Sequence, residues 1–430
     1  VPTVLEILAQ LNPWWQGGER EAGVPREIYL SQILRYLHTG EIVVLSGVRR
    51  SGKTTLLYQA VRNLIDEENI EPKNILFVNF DEPGLASLEN PIDQILDIYR
   101  KDVSSADEVY FIFDEIQAIP GWERHIKSLY DRKRYHLIIS GSSSTLLGSA
   151  LSRLLSGRYF AIPVFPLDFK EYLQFHDVQI RTDPVALASD KFQLLNFLRQ
   201  YLREGGFPRV VLEPDESLKR EYLKSYYDSI VYRDIILINE VRNVKALKDL
   251  LYYLFSNVSR LYSYRTLQDL LKIDFTTLKE FIEYAADAKI LFEVQYFSYS
   301  LKAQARNNKK IYCIDNGLRN ALAFRFSEDE GALAENLVYV ELRKRGFEPY
   351  YWNGVNEVDF VIKNSDNALT AINVTYTDTV DSREIRGLEE FQGEFGSSVK
   401  ERIVLTKDLE KVESGIRFIP LWRWLLNYPD

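Results

Sequence analysis

The sequence predicts an α/β fold, a parallel sheet wrapped by helices and followed by smaller modules. Three observations predict it. The apolar run Ile42 to Leu45 leads directly into Gly47-Val48-Arg49-Arg50-Ser51-Gly52-Lys53-Thr54 and then into a helical pattern, the strand–turn–helix order of a G-x-x-x-x-G-K-[ST] loop. Val109 to Glu115 (VYFIFDE) is a nearly continuous apolar strand that closes on two acids. Ile75 to Phe80 and His136 to Ser140 are further short apolar runs separated by helical stretches. Strands apolar on both faces are those covered by helices on both sides.

The chain has 430 residues, 46% of them hydrophobic and 27% charged, enough for two to four domains of ordinary globular character. One cysteine excludes an internal disulfide framework, and with four histidines it leaves too few soft ligands for a dedicated zinc site. No apolar run is long enough to span a bilayer, and the start of the sequence has no signal-peptide pattern. The expectation is a cytoplasmic protein with no membrane contact. A net charge of −9 argues against nucleic acid coating the whole surface, while leaving room for a local basic patch.

The loop at 47–54 states its chemistry. Glycines let consecutive backbone N–H groups curl around phosphates, and the following helix points its positive end at them. Gly47, Arg50, Ser51, Gly52, Lys53, Thr54 and Thr55 are therefore the candidate ATP-binding residues, with Lys53 reaching the β- and γ-phosphates. Thr54 and Asp114 are the candidate Mg²⁺ ligands, Asp114 acting through water. Glu115 is the candidate that orients and polarises the attacking water.

Ahead of the loop, Val1 to Leu11 has apolar residues at helical spacing, broken by Asn12-Pro13. Val24-Pro25-Arg26-Glu27 opens a helix over Ile28 to Leu37. Arg26 is a candidate contact for the nucleotide base, weighed equally against an ordinary charge at a helix start.

Residues 24–175 resemble a prokaryotic, often archaeal, group of AAA-type ATP-binding proteins. The motifs that carry the resemblance are VPRE (24–27), GVRRSGKTT (47–55), FDEIQAIPGWE (113–123), SGSSS (140–144) and SGRYFAIPVFPLDFKEYL (156–173). GGFPRVVLEPD (205–215) and YYDSIVYRDI (226–235) resemble the same group's lid. The resemblance implies ATP binding and hydrolysis, joined to a C-terminal domain of uncertain function. In ATPases of this type a polar side chain at the tip of the strand ending near Ser140 faces the γ-phosphate. Ser142 is the candidate, against a plain Ser-rich turn. Such enzymes also place an arginine finger at the start of the last core strand, reaching a neighbouring subunit's nucleotide. Arg158 is the first candidate and Arg153 the second, against an Arg that pairs with surface acids. A finger of that kind implies a homo-oligomer.

The remaining chain divides by rhythm. The expected domains are an ATPase core at 1–173, a helical lid at 174–240, a winged helix at 241–325 and an α/β module at 326–430. Ala246 to Val258, Ser263 to Leu271 and Phe275 to Ala288 are three amphipathic helices. Ile290 to Tyr299 and Lys310 to Ile314 are strands flanking a basic loop. The third helix carries Glu280, Glu283 and Asp287 beside Lys279 and Lys289, which weakens major-groove reading. The wing region, with Lys302, Arg306, Lys309, Lys310, Arg319 and Arg325 among tyrosines, is the candidate DNA or RNA contact. The last module's α-β-β-β-α-β order resembles the PD-(D/E)xK nuclease core, with Glu335 and Asp359 in the matching places. Where Glu-x-Lys is expected the chain has Asn373-Val374-Thr375, so an inactive nuclease-like domain is expected.

The functional expectation is an AAA-type ATPase that uses Mg-ATP to drive its C-terminal domains on nucleic acid. The alternatives are an ATP-dependent regulatory switch with a protein partner and, third, an ATP-coupled nuclease.

Overall fold

The computed structural model describes residues 2–142, 155, 157–181, 183–323, 329–377 and 379–426. Two compact units divide after Val164. Arg153, the second finger candidate, and Arg325 of the basic region lie outside the described residues.

The first unit is a parallel sheet with helices on both faces. In chain order it runs α1 (Val4–Leu11), α2 (Glu27–Leu37), β1 (Ile42–Ser46), α3 (Lys53–Asp66), β2 (Ile75–Asn79), α4 (Pro91–Asp102), β3 (Val109–Asp114), α5 (Trp122–Asp131), β4 (Tyr135–Gly141) and β5 (Tyr159–Pro163). The five strands are all parallel, in the order β2-β3-β4-β1-β5. Alternate strand residues sort into two cores, as a period of two requires. Val43, Leu45, Phe77, Ile112 and Ile138 pack with α2 and α3 on one face. Val44, Val78, Phe111, Phe113 and Ile139 pack with α1, α4 and α5 on the other.

The N-terminal segment closes the β2 edge. The buried Asn12 side chain donates to Phe77 O at 2.8 Å and accepts from Phe77 N at 2.7 Å, and Trp15 donates to Ile75 O at 2.9 Å. An edge strand left open would be a template for another chain.

The second unit holds residues 165–430. Its helices are α6 (Phe169–Phe175), α7 (Pro184–Glu204), α8 (Pro208–Val211), α9 (Glu216–Ile230), α10 (Val244–Ser256), α11 (Tyr264–Leu271), α12 (Phe275–Asp287), α13 (Leu301–Arg306), α14 (Asn316–Leu322), α15 (Glu330–Lys344), α16 (Ser382–Phe395) and α17 (Leu421–Leu425). An antiparallel sheet of three strands has the order β6 (Leu261–Tyr262), β8 (Lys309–Cys313), β7 (Leu291–Val294). A six-stranded mixed sheet has the order β13 (Lys411–Glu413), β14 (Ile416–Pro420), β12 (Val399–Thr406), β11 (Leu369–Thr375), β10 (Glu357–Lys363), β9 (Tyr350–Asn353).

One apolar cluster runs through this unit, from Phe169 and Tyr172 through Leu198 and Tyr312 to Tyr339, Phe360 and Trp422. The segment at 165–173, read from sequence as the end of the ATPase core, therefore packs in the second unit. The expected strand at 290–299 also ends early, at Val294. Phe297 is buried against Trp352 and Phe391, and its N–H bonds Tyr351 O at 2.6 Å, which draws the chain alongside β9. Among the described residues no helix is long and apolar enough to cross a membrane.

Candidate nucleotide site

Parallel strands bring the loop after β1 to the same sheet edge as the ends of β3 and β4, where open α/β sheets bind ligands. The turn 47–52 is held close to Val164, the residue that follows β5. A Cβ on Gly47 would stand 2.2 Å from Val164 O, so only glycine fits there. Gly52 starts α3 at φ +97°, in the left-handed region.

Lys53 is buried, and its Nζ donates to Gly47 O at 3.0 Å and Val48 O at 3.1 Å, folding the side chain back over its own loop. Thr54 Oγ1 donates to Asp114 Oδ2 at 2.7 Å, and Ser140 Oγ donates to Asp114 Oδ1. Asp114 is fully buried. Burial, and then the Glu115 charge, push its carboxyl above the usual range, while Ser140, Thr54 and Lys53 pull it down. The register explains the contact: Phe113 pairs with Ile139, so the next residues on β3 and β4 are neighbours. Glu115 follows at φ +52° and accepts a hydrogen bond from Gln117 Nε2.

Arg26 lies beneath the loop. It is buried, its Nη1 donates to Ser51 O at 2.9 Å, and its guanidinium stacks 4.5 Å from the Tyr29 ring centroid. Gln59 of α3 ties down the same segment, donating to Ala22 O at 2.8 Å and Val24 O at 2.9 Å and accepting from Arg26 N at 3.2 Å. Arg50 is exposed at the loop's crest, with φ +69°. Arg49 beside it forms an ion pair with Asp81 at 3.7 Å. Thr55 is half-buried on the first turn of α3, and Ser142 is buried just past β4.

Arg158 stands elsewhere. Tyr159 pairs with Ile42 in the parallel sheet, so Arg158 lies at the amino edge, opposite the loop. A five-residue strand is roughly 16 Å long, which separates Arg158 from its own chain's site. It pairs with Asp131 at 3.3 Å and lies over the Tyr130 ring.

The arrangement fits a phosphate and a divalent cation. Ser51 Oγ is buried in the loop with no hydrogen-bond partner, so it can still donate to an anion. Lys53 donates to the Gly47 and Val48 carbonyls, acceptors that a polyphosphate would outcompete. Thr54 and Asp114, already adjacent, are an oxygen pair suited to Mg²⁺. Ser140 was missed from the sequence, because its partnership with Asp114 comes from the adjacency of β3 and β4.

The basic region is thinner than the sequence suggests. Lys309 and Lys310, read as nucleic-acid contacts, are 7% and 2% exposed, because they sit on the middle strand of the three-stranded sheet. Arg319 is buried as well. Lys309 Nζ donates to Gln304 O at 2.6 Å. Lys302 and Arg306, on α13, remain exposed.

Lys310 instead reaches Glu335 Oε1 at 2.9 Å and Asp359 Oδ1 at 3.2 Å, and also pairs with Glu357. Burial works against its charge, but these carboxylates with Tyr312 outweigh it and hold the ammonium well above its ordinary value. Burial, then the Asp359 charge, push Glu335 up to about 8. Asn373 Oδ1 accepts from Asp359 N at 3.0 Å. Its Nδ2 donates to Glu357 O, Glu384 O and Glu384 Oε2 at 3.2, 3.0 and 2.9 Å.

Comparison with known proteins agrees with the first unit's geometry. A family model described as an AAA domain matches residues 39–173, and two domains of unknown function, DUF8612 and DUF4143, match 195–329 and 330–424. An uncharacterized protein of Methanocaldococcus jannaschii is 31% identical over 407 residues, covering 90% of this chain and 89% of that one. An uncharacterized protein of Haemophilus influenzae is 30% identical over 414 residues, covering 95% of this chain and 100% of that one. A solved Walker-type ATPase of Pyrococcus abyssi is 15% identical with a TM-score of 0.44, covering 71% of this chain and 97% of that one.

The loop, the acids at the end of β3 and the AAA-domain match define a P-loop ATPase of the AAA type. The chain belongs to the same family as the M. jannaschii and H. influenzae proteins, along nearly its whole length.

Proposed function

We propose that this chain binds and hydrolyses Mg-ATP and uses the cycle to switch how its C-terminal region engages a macromolecular partner. The observation that carries the reading is the hydrogen-bonded set Thr54–Asp114–Ser140 directly beneath a loop whose Ser51 hydroxyl still lacks a partner. Thr54 and Asp114 would hold Mg²⁺, which supplies charge neutralisation to the β- and γ-phosphates. Lys53 would leave the Gly47 and Val48 carbonyls for phosphate oxygens. Glu115, on a turn held at positive φ, would orient the attacking water, and Ser142 would face the terminal phosphate. Arg26 would act on the nucleotide through the Ser51 carbonyl, by fixing the loop.

Arg158, remote from its own loop, fits a finger only if it serves a second subunit. Its loss should then abolish turnover in assembled protein, and mixing with Lys53→Ala chains should partly restore it. Full activity in a strictly monomeric chain would remove that role.

We read 241–325 as a winged helix and 326–430 as a nuclease-like module without nuclease activity. Two partner classes follow. Exposed Lys302 and Arg306 beside Tyr299 support nucleic acid. Burial of Lys309, Lys310 and Arg319 favours a protein partner, as does pairing of Lys279 with Glu283 on α12. The deciding experiment measures ATP turnover with and without DNA or RNA across a salt series. A nucleic-acid partner stimulates turnover and loses affinity steeply with salt. A flat response leaves the protein-partner switch.

A further inference from the structure

Three carboxylates of the second unit converge on one ammonium. Lys310 comes from β8 in the three-stranded sheet, Glu335 from α15, and Glu357 and Asp359 from β10 in the six-stranded sheet. The carboxylates of Glu335 and Asp359 that face the ammonium are also engaged by another side-chain or backbone donor. Glu335 Oε1 accepts from Lys310 and from Tyr312 OH at 2.6 Å. Asp359 Oδ1 accepts from Lys310, and its Oδ2 accepts from Val374 N at 2.9 Å.

We propose that Lys310 is a built-in counter-cation: its ammonium fills the carboxylate pocket of the α/β module and keeps a divalent metal out.

The charge balance supports this. A buried ammonium is costly unless paired, and carboxylates are costly unless a cation or donors meet them. Lys310 finds its counter-charge here, while three carboxylates share one ammonium, and burial and then the Asp359 charge push Glu335 up to about 8. Lys310 Nζ stands 2.9 Å from Glu335 Oε1 and 3.2 Å from Asp359 Oδ1, and Glu357 closes the third side. Among the described residues no three of His, Cys, Asp and Glu are grouped so as to hold a metal ion.

The chain also keeps the plug in place. Tyr351 N of β9 bonds Gln295 O at 3.1 Å and Phe297 N bonds Tyr351 O at 2.6 Å, so the segment after β7 meets β9 at a single parallel bridge, Tyr296–Tyr351. Phe297 is buried in the core under that edge. β7 is in turn paired with β8, which carries Lys310.

The test is thermal unfolding of the full-length, nucleotide-free chain across a Mn²⁺ titration. The variants are Lys310→Met, Lys310→Arg, Asp359→Asn and the double Lys310→Met/Asp359→Asn. Removing the plug is expected to create a Mn²⁺ site. The Tm of Lys310→Met should rise by several degrees with Mn²⁺, and the double variant should lose that rise. Wild type and Lys310→Arg should respond no more than Asp359→Asn does, which subtracts any Mn²⁺ effect at the nucleotide loop. If Lys310→Met does not fold in metal-free buffer, Mn²⁺ should restore its fold. A chain that stays unfolded at every Mn²⁺ concentration overturns the proposal. So does a folded Lys310→Met with no gain over wild type, or a wild-type rise that Asp359→Asn abolishes.

Discussion

Lys53 and Lys310 are both buried, at 4% and 2% exposure, and their partners make them opposites. Lys53 donates to two backbone carbonyls of its own loop, and Lys310 to the carboxylates of residues 335, 357 and 359. A lysine that can exchange loop carbonyls for phosphate oxygens gains from meeting a polyanion. A lysine held by three acids already has its counter-charge. The same residue type thus marks a site awaiting a ligand in one unit and a closed site in the other. The carboxylates differ in the same sense. Asp114 meets two hydroxyls, which a metal can displace, whereas Asp359 meets an ammonium and a backbone N–H.

The largest expected effect breaks the open site. Glu115→Gln should retain ATP and slow steady-state turnover by ~10²–10⁴, the usual contribution of a positioned general base. Undiminished turnover would take Glu115 out of that role.

The second prediction sharpens the contrast through stability. Lys310→Met leaves buried carboxylates without their cation and should cost about 3–5 kcal/mol in urea unfolding of the second unit. Lys53→Met removes hydrogen bonds to two loop carbonyls and a charge that helps hold Asp114 down, and should cost the first unit less, about 1–2 kcal/mol. Equal losses would erase the distinction.

A third prediction uses pH. Asp315 caps α14 by accepting from Leu318 N at 2.8 Å, and it also accepts from Gly206 N at 2.6 Å. Burial raises its carboxyl from 3.8 to about 6 despite these donors. The folded chain therefore holds this proton more firmly than the unfolded one. Between about pH 4 and 6 the Asp315 contribution to stability falls as pH rises, by roughly 1–3 kcal/mol in all, and is level above that window. Asp315→Asn should flatten that part of the stability–pH curve for the second unit, measured by urea unfolding at fixed pH steps. An unchanged slope would contradict the assignment.

These cases also show where the sequence was legible. The loop at 47–54 could be read because wrapping a phosphate requires fixed local spacing, and its strand and helix are contiguous in the chain. The acids at 114 and 115 were legible for a similar reason, as the end of an unbroken apolar strand. Ser140 was not, since its role depends on which strand lies beside β3. Lys309-Lys310 read as a basic patch because the acids that neutralise Lys310 are remote in sequence and meet it only through β8, α15 and β10. Asn373 was legible as a departure from Glu-x-Lys. Its service as a donor to residues 357 and 384 was not, because that needed the position of α16.

The most direct test is binding of a non-hydrolysable ATP analogue with Mg²⁺, measured by calorimetry on wild type and Lys53→Met. The account predicts one site per chain in wild type and affinity at least about tenfold weaker in the variant, the loss of a charge-assisted contact to phosphate. Equal affinity in the two proteins would mean that Lys53 stays on its carbonyls when nucleotide binds, contradicting the reading of the open site.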